Sequence, residues 1–176
     1  GRFAAAHDYY DDSLAIREQA LGPSHPDLAN TLGNLGLLAL AEGDFTGARD
    51  FFERAKQIKI AALGPDHPAV AVEWSNLGQA AAMRGALDEA RGDLERALAI
   101  SEATFGPAHP ELLLVVVGLA AVELEAGRLA RARELVGRAT TITATMANDD
   151  PLRAPSEFVT GWLAQIEGDR KSTRLN

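Results

Sequence analysis

Three of the four histidines stand at equal spacing, and imidazole groups are the first candidates for metal binding or proton transfer in this sequence. His25, His67 and His109 each precede a proline and lie 42 residues apart. Ligands of one zinc ion lie about 2 Å from the metal, whereas equivalent positions on stacked helices are about 8–10 Å apart. We therefore interpret these histidines as loop and capping residues, and we expect neither a metal nor a cofactor.

Two acidic pairs are the other candidates for chemistry, because neighbouring carboxyl groups can serve as a general acid and a general base. The pair at 11–12 falls on the exposed side of a predicted helix and the pair at 149–150 lies in a linker, so solvated charge explains both better. The sequence has no cysteine, no Gly-x-Ser-x-Gly elbow, no phosphate-binding loop and no His-Glu-x-x-His motif. We predict that the chain is not an enzyme.

Composition and charge restrict the classes of partner. The 176 residues include 25 Asp and Glu against 17 Lys and Arg, which gives a formal net charge of −8. Nucleic-acid binding needs a basic face, so no nucleic acid is expected. The longest apolar run, residues 112–122, is shorter than the about 20 residues that cross a bilayer, so no membrane is expected either. The lack of cysteine fits a cytoplasmic location.

A repeat of 42 residues positions the histidines. The motif Leu-Gly-Pro-x-His-Pro occupies residues 21–26 and 63–68, and it recurs at 105–110 with Phe in the first place. A second marker has the same period, because a glycine followed two positions later by a hydrophobic residue stands at positions 1, 43, 85 and 127. Two markers in phase indicate one supersecondary unit per repeat.

Each repeat is predicted to hold two helices, roughly over 26–41 and 45–62 in the first full copy. The glycine of the Gly-Pro pair can close a helix in the left-handed conformation, the histidine suits an N-cap, and the next proline suits the first helical position. In the second helix, apolar residues recur at spacings of three and four, which marks a buried face. The residues on this face are Phe45, Ala48, Phe52, Ala55 and Ile58, and in the next copy Leu87, Ala90, Leu94, Ala97 and Ile100.

The period divides the chain into six segments. Residues 1–20 are an orphan second helix, full repeats follow at 21–62, 63–104 and 105–146, and residues 147–170 are the first helix of a truncated repeat, predicted over 156–167 and closed by Gly168. Residues 171–176 fit no repeat and resemble translated sequencing-adapter read-through. The two ends have lost their neighbours, at Phe3 and Tyr10 and at Trp162 and Ile166, so we expect weak end-to-end self-association.

The second full copy resembles the tetratricopeptide signature of Trp, Leu, Gly, turn Gly, Ala, an aromatic residue and Ala. The corresponding residues are Trp74, Leu77, Gly78, Gly85, Ala90, Leu94 and Ala97. The usual period is 34, and the longer period with Leu-Gly-Pro-Asp-His-Pro linkers resembles the repeats of kinesin light chains and of many bacterial signalling proteins. The resemblance implies an all-α fold, an α-solenoid in the form of a right-handed superhelix built from antiparallel helical hairpins, with about eight helices. The family's usual tyrosine is absent, since Ala39, Ala81 and Glu123 stand in its place.

The resemblance also implies that the first helices line a concave, peptide-binding face. Carried onto this chain, the binding positions are Asn30, Asn34, Leu37 and Leu40 in the first copy, Val72, Ser75, Asn76, Gln79 and Met83 in the second, and Leu114 and Val117 in the third. Asn34 and Asn76 occupy the same repeat position, and their amides would either grip the backbone of an extended peptide or form local bonds along the helix. The aliphatic side chains would receive those of the partner.

We therefore predict a protein–protein interaction scaffold whose partner is a protein or peptide. Two other interpretations stay open. The array is either the regulatory or sensor region of a larger bacterial signalling enzyme such as a kinase, or a structural spacer that self-associates end to end.

Overall fold

The computed structural model describes the backbone of residues 2–147 and 149–174, and the side chains of residues 9–147 and 149–168. These residues form eight α-helices and one 3₁₀ turn, with no strand among them. The helices are α1 (Arg2–Leu21), α2 (Leu28–Glu42), α3 (Phe45–Leu63), α4 (Pro68–Met83), α5 (Leu87–Phe105), α6 (Leu113–Glu125), α7 (Leu129–Thr143) and α8 (Arg153–Arg174), and the 3₁₀ turn is Pro110–Leu112.

The second helices, α3 and α5, bury the apolar face that their spacing predicts. Its eight inner members are all buried, namely Ala48, Phe52, Ala55, Ile58, Ala90, Leu94, Ala97 and Ile100. The first residue of each stripe, Phe45 or Leu87, is half-buried because it lies at the end of its helix. A stripe of this width on one side of a helix requires a partner helix to cover it.

The turn inside each hairpin is made by a glycine in the left-handed conformation. Gly43 has φ 83° and ψ 9°, and its N–H donates to the carbonyl of Leu40. Asp44 then caps α3, because its Oδ1 accepts a 2.9 Å hydrogen bond from the N–H of Gly47. The positive φ values of Gly85 and Gly127, 81° and 71°, repeat the geometry at the predicted positions.

The His-Pro turn differs from the prediction in two of its three copies. In all three, Nδ1 of the histidine accepts a bond from the backbone N–H two residues later, at 3.1 Å in the case of His67. Pro68 opens α4 directly, but α2 begins only at Leu28 and α6 only at Leu113. In all three copies the N–H three residues after the histidine donates to the histidine carbonyl, from Leu28 to His25, from Val70 to His67 and from Leu112 to His109. The copies therefore share this bond of the 3₁₀ type and differ in where the regular α-helix begins.

The glycine that ends α3 also corrects the prediction. Gly64 has φ 89° but ψ 159°, which is a conformation open to glycine and not the left-handed helical one. Its N–H still donates to the carbonyl of Ile60, so α3 keeps its last helical bond before the chain turns away. The glycine therefore redirects the chain into the Pro turn instead of winding it back over the helix end.

The first of two compact units covers residues 1–100. Within it α1 packs on α2, α2 on α3 and α3 on α4, and α2 also contacts α4. One apolar cluster joins α2 to α3 and α1, and a second joins α2, α3 and α4. The first contains Leu28, Ala29, Leu32, Ala55 and Ile58, with Leu14 and Phe51 against it, and the second contains Ala39, Leu40, Ala48, Phe52, Leu77 and Ala80, with Phe45, Phe51 and Trp74 against it.

The second compact unit covers residues 101–176 and is built on α6. Helix α6 packs on α7, and both contact α8. Nine of its thirteen residues are buried, Glu123 among them. The side chain of Glu123 has Nη1 of Arg128 at 3.7 Å, and the N–H of Arg128 donates to the Glu123 carbonyl. The glutamate at the family's tyrosine position is thus buried beside a cation.

The last helix is longer than predicted. Helix α8 runs from Arg153 to Arg174, so Gly168 lies inside the helix and does not close it. Residues 171–174 are helical, and residues 175–176 lie outside the described part of the chain. Ser156, Val159 and Leu163 form its buried side, three and four residues apart.

Candidate functional site

Side chains of α2 and α4, exposed except for the half-buried Asn76, form the candidate site, which we call the first-helix face. It consists of Asn30, Asn34, Leu37, Val72, Asn76, Gln79 and Met83. The spacings of three and four residues place each set along one side of its helix, and α2 and α4 are in contact within the first unit. Leu37, Val72 and Met83 are 48%, 54% and 50% exposed, so α2 and α4 present three large apolar side chains to solvent.

Two of the residues predicted for this face are buried instead. Leu40 is 7% exposed because it packs in the cluster with Leu77 and Ala80, and Val117 is 8% exposed in the second unit. Ser75 is half-buried. Leu114 is exposed on α6, in the second unit. Of the nine positions predicted in residues 1–100, six are exposed, Ser75 and Asn76 are half-buried, and Leu40 is buried.

The two asparagines at equivalent positions are in different environments. Asn76 is half-buried and its Nδ2 donates a 3.3 Å hydrogen bond to Oε2 of Glu73, one turn earlier. That is the local bond along the helix, and it fixes the orientation of the Asn76 amide. Asn34 is exposed. The local bond along the helix is therefore formed at Asn76, whereas the Asn34 side chain is open to solvent.

An ion pair between Lys59 and the buried Glu73 lies beneath the face. The Glu73 side chain is buried, and Nζ of Lys59 on α3 lies 2.5 Å from its Oε1. Gly33 of α2 faces the same carboxylate, because a Cβ at Gly33 would stand 3.7 Å from Oε1. Close packing of α2 over this carboxylate explains why the pair is almost dry. The charge of Glu73 is balanced within the fold and not by solvent.

A small cavity continues the face at the N-terminal end of α2. Its volume is about 200 Å³, and Asn30 and Lys59 are two of its lining residues. The rest of its wall is mainly apolar, from Ile58 and Leu63 of α3 and Ala69 of α4. The cavity offers room for one aliphatic side chain beside the Asn30 amide.

An open cleft of about 450 Å³ lies along α8 in the second unit. It is lined by Glu157, Phe158, Gly161, Trp162 and Gln165. Phe158 is exposed, and its ring centroid lies 6.1 Å from that of the half-buried Trp162. All five residues belong to one helix, so the cleft is a bare helix surface and not an enclosed site.

The three periodic histidines and Asp150 form local hydrogen bonds within their own turns. Each of the three periodic histidines uses Nδ1 in its own turn. Asp150 caps the start of α8 through a 2.9 Å bond from the N–H of Leu152 to its Oδ1. Within the described residues, no group of three or more His, Asp or Glu side chains is arranged to hold a metal ion. No helix among them is both long and apolar enough to cross a membrane.

Sequence reasoning missed a set of periodic arginines. Arg54, Arg96 and Arg138 lie 42 residues apart on the second helices, and each reaches the Gly-Pro turn about thirty residues earlier. Their acceptors are the carbonyl of Pro23 at 2.9 Å, Oδ1 of Asp66 at 2.7 Å and the carbonyl of Pro107 at 2.7 Å. We call these residues the turn-binding arginines. These arginines could have been found in the sequence, because they recur with the same 42-residue period as the glycines.

A family model and solved structures match the chain. The model of the tetratricopeptide repeat matches residues 1–61, 37–100 and 70–145 in overlapping stretches. The chain belongs to the tetratricopeptide repeat family. No curated protein matches it in sequence. The long second helices and the Gly-Pro turns described above are therefore this member's version of the tetratricopeptide hairpin.

Three solved structures resemble this tetratricopeptide protein over nearly its whole length. Two are of a protein from Podosopora anserina described as a kinesin light chain with nearly identical TPR-like repeats. A form of it with one substitution is 25% identical to this chain with a TM-score of 0.81, and the match covers 99% of this chain and 82% of that chain. The other form is also 25% identical, with a TM-score of 0.79, and the match covers 99% of this chain and 83% of that chain. The third, BtubC (BKLC) from P. vanneervenii, is 24% identical to this chain with a TM-score of 0.77. The match covers 98% of this chain and 73% of that chain, and the two proteins are similar in fold alone. The predicted all-α solenoid of helical hairpins, of the kinesin-light-chain-like type, is confirmed.

Proposed function

We propose that the chain is a cytoplasmic protein-interaction scaffold that binds a peptide or protein segment on its first-helix face. Tetratricopeptide repeats generally mediate protein–protein interactions and are generally non-catalytic. The observation that carries the proposal is the exposure of Leu37, Val72 and Met83 beside the amides of Asn34 and Gln79. Apolar side chains left half exposed beside amides provide both a surface to bury and hydrogen bonds to a backbone.

The mechanism of binding is non-covalent. A segment laid across α2 and α4 would bury these aliphatic side chains and bond to the amides of Asn34, Asn76 and Gln79. Helices α2 and α4 are both held by α3, so the face exists before the partner arrives. A pre-formed face reduces the loss of conformational entropy on binding.

A peptide-selection experiment tests this proposal. Peptides selected from a random display library against the whole chain are mapped by the chemical shifts of backbone amides. The variant Leu37→Asp with Met83→Asp should lose binding, whereas Ala99→Asp, which adds a charge at an exposed position of α5, should retain it. Selected peptides whose binding shifts residues away from α2 and α4 and survives the double substitution would contradict the proposal.

End-to-end self-association is a second candidate, and one observation favours it. Ile16 of α1 is 67% exposed, whereas its equivalents Ile58 and Ile100 are 5% and 3% exposed. The position that α3 and α5 bury at Ile58 and Ile100 is therefore exposed on α1. Sedimentation velocity should show association that Ile16→Asp removes and Val72→Asp leaves intact. A monomer at the highest accessible concentration excludes this candidate.

A role as the regulatory region of a larger signalling enzyme is compatible with the first proposal. The segment bound on the first-helix face would then come from the same polypeptide. The gene sequence on either side of this region decides between the two sources, and a flanking kinase domain would support the regulatory role.

A further inference from the structure

Charged residues are unequally divided between the two kinds of helix in the first unit. Among the 15 residues of α2 and the 16 of α4, the charged ones are Glu42 at the very end of α2 and the buried Glu73. Helix α3 alone carries six, which are Arg49, Asp50, Glu53, Arg54, Lys56 and Lys59. A chain with a formal net charge of −8 therefore carries few of its charged residues on α2 and α4.

The buried glutamate does not give the face a charge. Nζ of Lys59 lies 2.5 Å from Oε1 of Glu73, and Asn76 donates to Oε2, so both carboxylate oxygens already have partners within the fold. Arg84, just beyond α4, is likewise bound to Glu89 of α5 at 2.6 Å. The side chains that point from the first-helix face into solvent are amides and aliphatic groups.

A neutral face discriminates against charged ligands. A Lys or Glu side chain laid on this surface would lose part of its hydration and meet no opposite charge, and such desolvation is costly. An amide or aliphatic side chain loses little, because Asn and Gln amides satisfy backbone groups and Leu37, Val72 and Met83 accept apolar contacts. In the first unit the charged side chains of the hairpins lie mainly on α3 and α5.

We infer that the ligand of the first-helix face is an extended, uncharged segment that carries aliphatic and amide side chains, and that its binding depends little on salt. The inference rests on the proposed function and specifies the chemical class of the partner. It follows from the combination of three half-exposed aliphatic residues with a face whose nearest buried charge, Glu73, is already paired.

Three synthetic peptides test the inference. One alternates Leu and Gln, and the other two replace each Gln with Glu or with Lys. Binding of each to the whole chain is measured by fluorescence anisotropy at low and at high sodium chloride. We expect the neutral peptide to bind about tenfold more tightly than either charged peptide, the equivalent of one unfavourable desolvation. Its affinity should change less than about twofold with salt.

A matched pair of variants adds a gain of function. Val72→Lys places a cation on the first-helix face, and Ala99→Lys places the same cation at an exposed position of α5. Val72→Lys should bring the affinity for the Glu peptide above that for the Leu-Gln peptide, and Ala99→Lys should leave the order unchanged. Amide chemical shifts confirm that the peptides occupy α2 and α4.

The outcomes separate the two proposals. A charged peptide that binds most tightly on α2 and α4 of the unmodified chain overturns the inference and leaves the proposed function standing. Neutral binding that maps elsewhere, or no binding by any peptide, contradicts the proposed function and the inference with it. If Leu37→Asp instead dissociates a dimer of the chain, the occupant is a second copy and the inference is also wrong.

Discussion

Phe52 of α3 lies directly on Gly36 of α2. A Cβ at position 36 would stand 2.7 Å from Cδ1 of the Phe52 ring, which is closer than real contacts allow. In the next hairpin Gly78 and Leu94 have the same relationship, with Cγ of Leu94 at 2.6 Å. Each hairpin of the first unit therefore places a large side chain of its second helix where its first helix has none.

Gly36→Ala should destabilise the protein because the methyl group has no space beneath Phe52. Overpacking of this kind costs about 1–3 kcal/mol, which exceeds the gain of up to about 1 kcal/mol from replacing glycine in a helix. Thermal unfolding followed by circular dichroism measures the change. The double variant Gly36→Ala with Phe52→Leu should recover part of the loss.

Gly33→Ala, three residues earlier on the same helix, is the matched control. A Cβ there meets Oε1 of Glu73 at 3.7 Å, an ordinary contact, so the substitution should be neutral or stabilising by up to about 1 kcal/mol. Equal losses for the two variants would contradict the packing explanation.

Arg138→Met should weaken the second unit by about 1 kcal/mol, because it removes a charged donor from the Pro107 carbonyl and from Glu102. Arg131→Met on the same helix is the control, since Arg131 makes an exposed pair with Glu134 and such pairs contribute about 0.3–0.5 kcal/mol. Urea unfolding measures both changes. If the two losses are equal, the turn-binding arginines do not fasten the turns.

Lys59→Met should cost about 3–5 kcal/mol, because it leaves the Glu73 carboxylate buried without its cation. Replacing Glu73 with Met as well should restore most of the stability, since two apolar side chains can then pack together. Urea unfolding at neutral pH gives the free energy of unfolding of the unmodified chain, of Lys59→Met and of the double variant. A single variant within about 1 kcal/mol of the unmodified chain would mean that Glu73 keeps another source of neutralisation.

Asp93→Asn should stabilise the protein at pH 7. Burial raises the pKa of Asp93 from 3.8 to about 6, with help from the nearby charge of Glu89 and also of Glu53, against the opposing charges of Lys56 and Arg49. A carboxyl group with a raised pKa binds its proton more tightly in the folded state, so its ionisation makes the fold less stable as pH rises through about 6.

The gain from Asp93→Asn should therefore be about 1–2 kcal/mol at pH 7, after allowance for solvent screening, and should disappear near pH 4. Urea unfolding at the two pH values measures it. Glu95→Gln removes one negative charge at an exposed position of the same helix and serves as the control. A gain of equal size at both pH values would show that folding does not raise the pKa of the Asp93 carboxyl.

The helical hairpins could be predicted because each rests on short-range patterns. The period of Gly43, Gly85 and Gly127 located the turns, and the spacing of Ala48, Phe52 and Ala55 identified the buried side of α3. The exact start of α2 could not be predicted, because Pro26 permits either an α-helical or a 3₁₀ first turn and the sequence of the turn does not decide between them.

The candidate face was predictable only in part. Successive residues of a helix differ by about 100° in direction, so Leu37 and Leu40 fall close to one another in a helical projection, yet only Leu37 is exposed. The burial of Leu40 depends on Leu77 and Ala80 of another helix. The burial of Glu73 could not be predicted either, because the lysine that neutralises it lies fourteen residues earlier, on α3.

The turn-binding arginines affect how the chain can fold during its synthesis. Arg54, Arg96 and Arg138 contact acceptors only 31, 30 and 31 residues earlier. A chain emerging from the ribosome can therefore secure each Gly-Pro turn as soon as the following hairpin has appeared, without waiting for its C-terminal residues. Contacts this local in sequence favour rapid folding that proceeds one hairpin at a time.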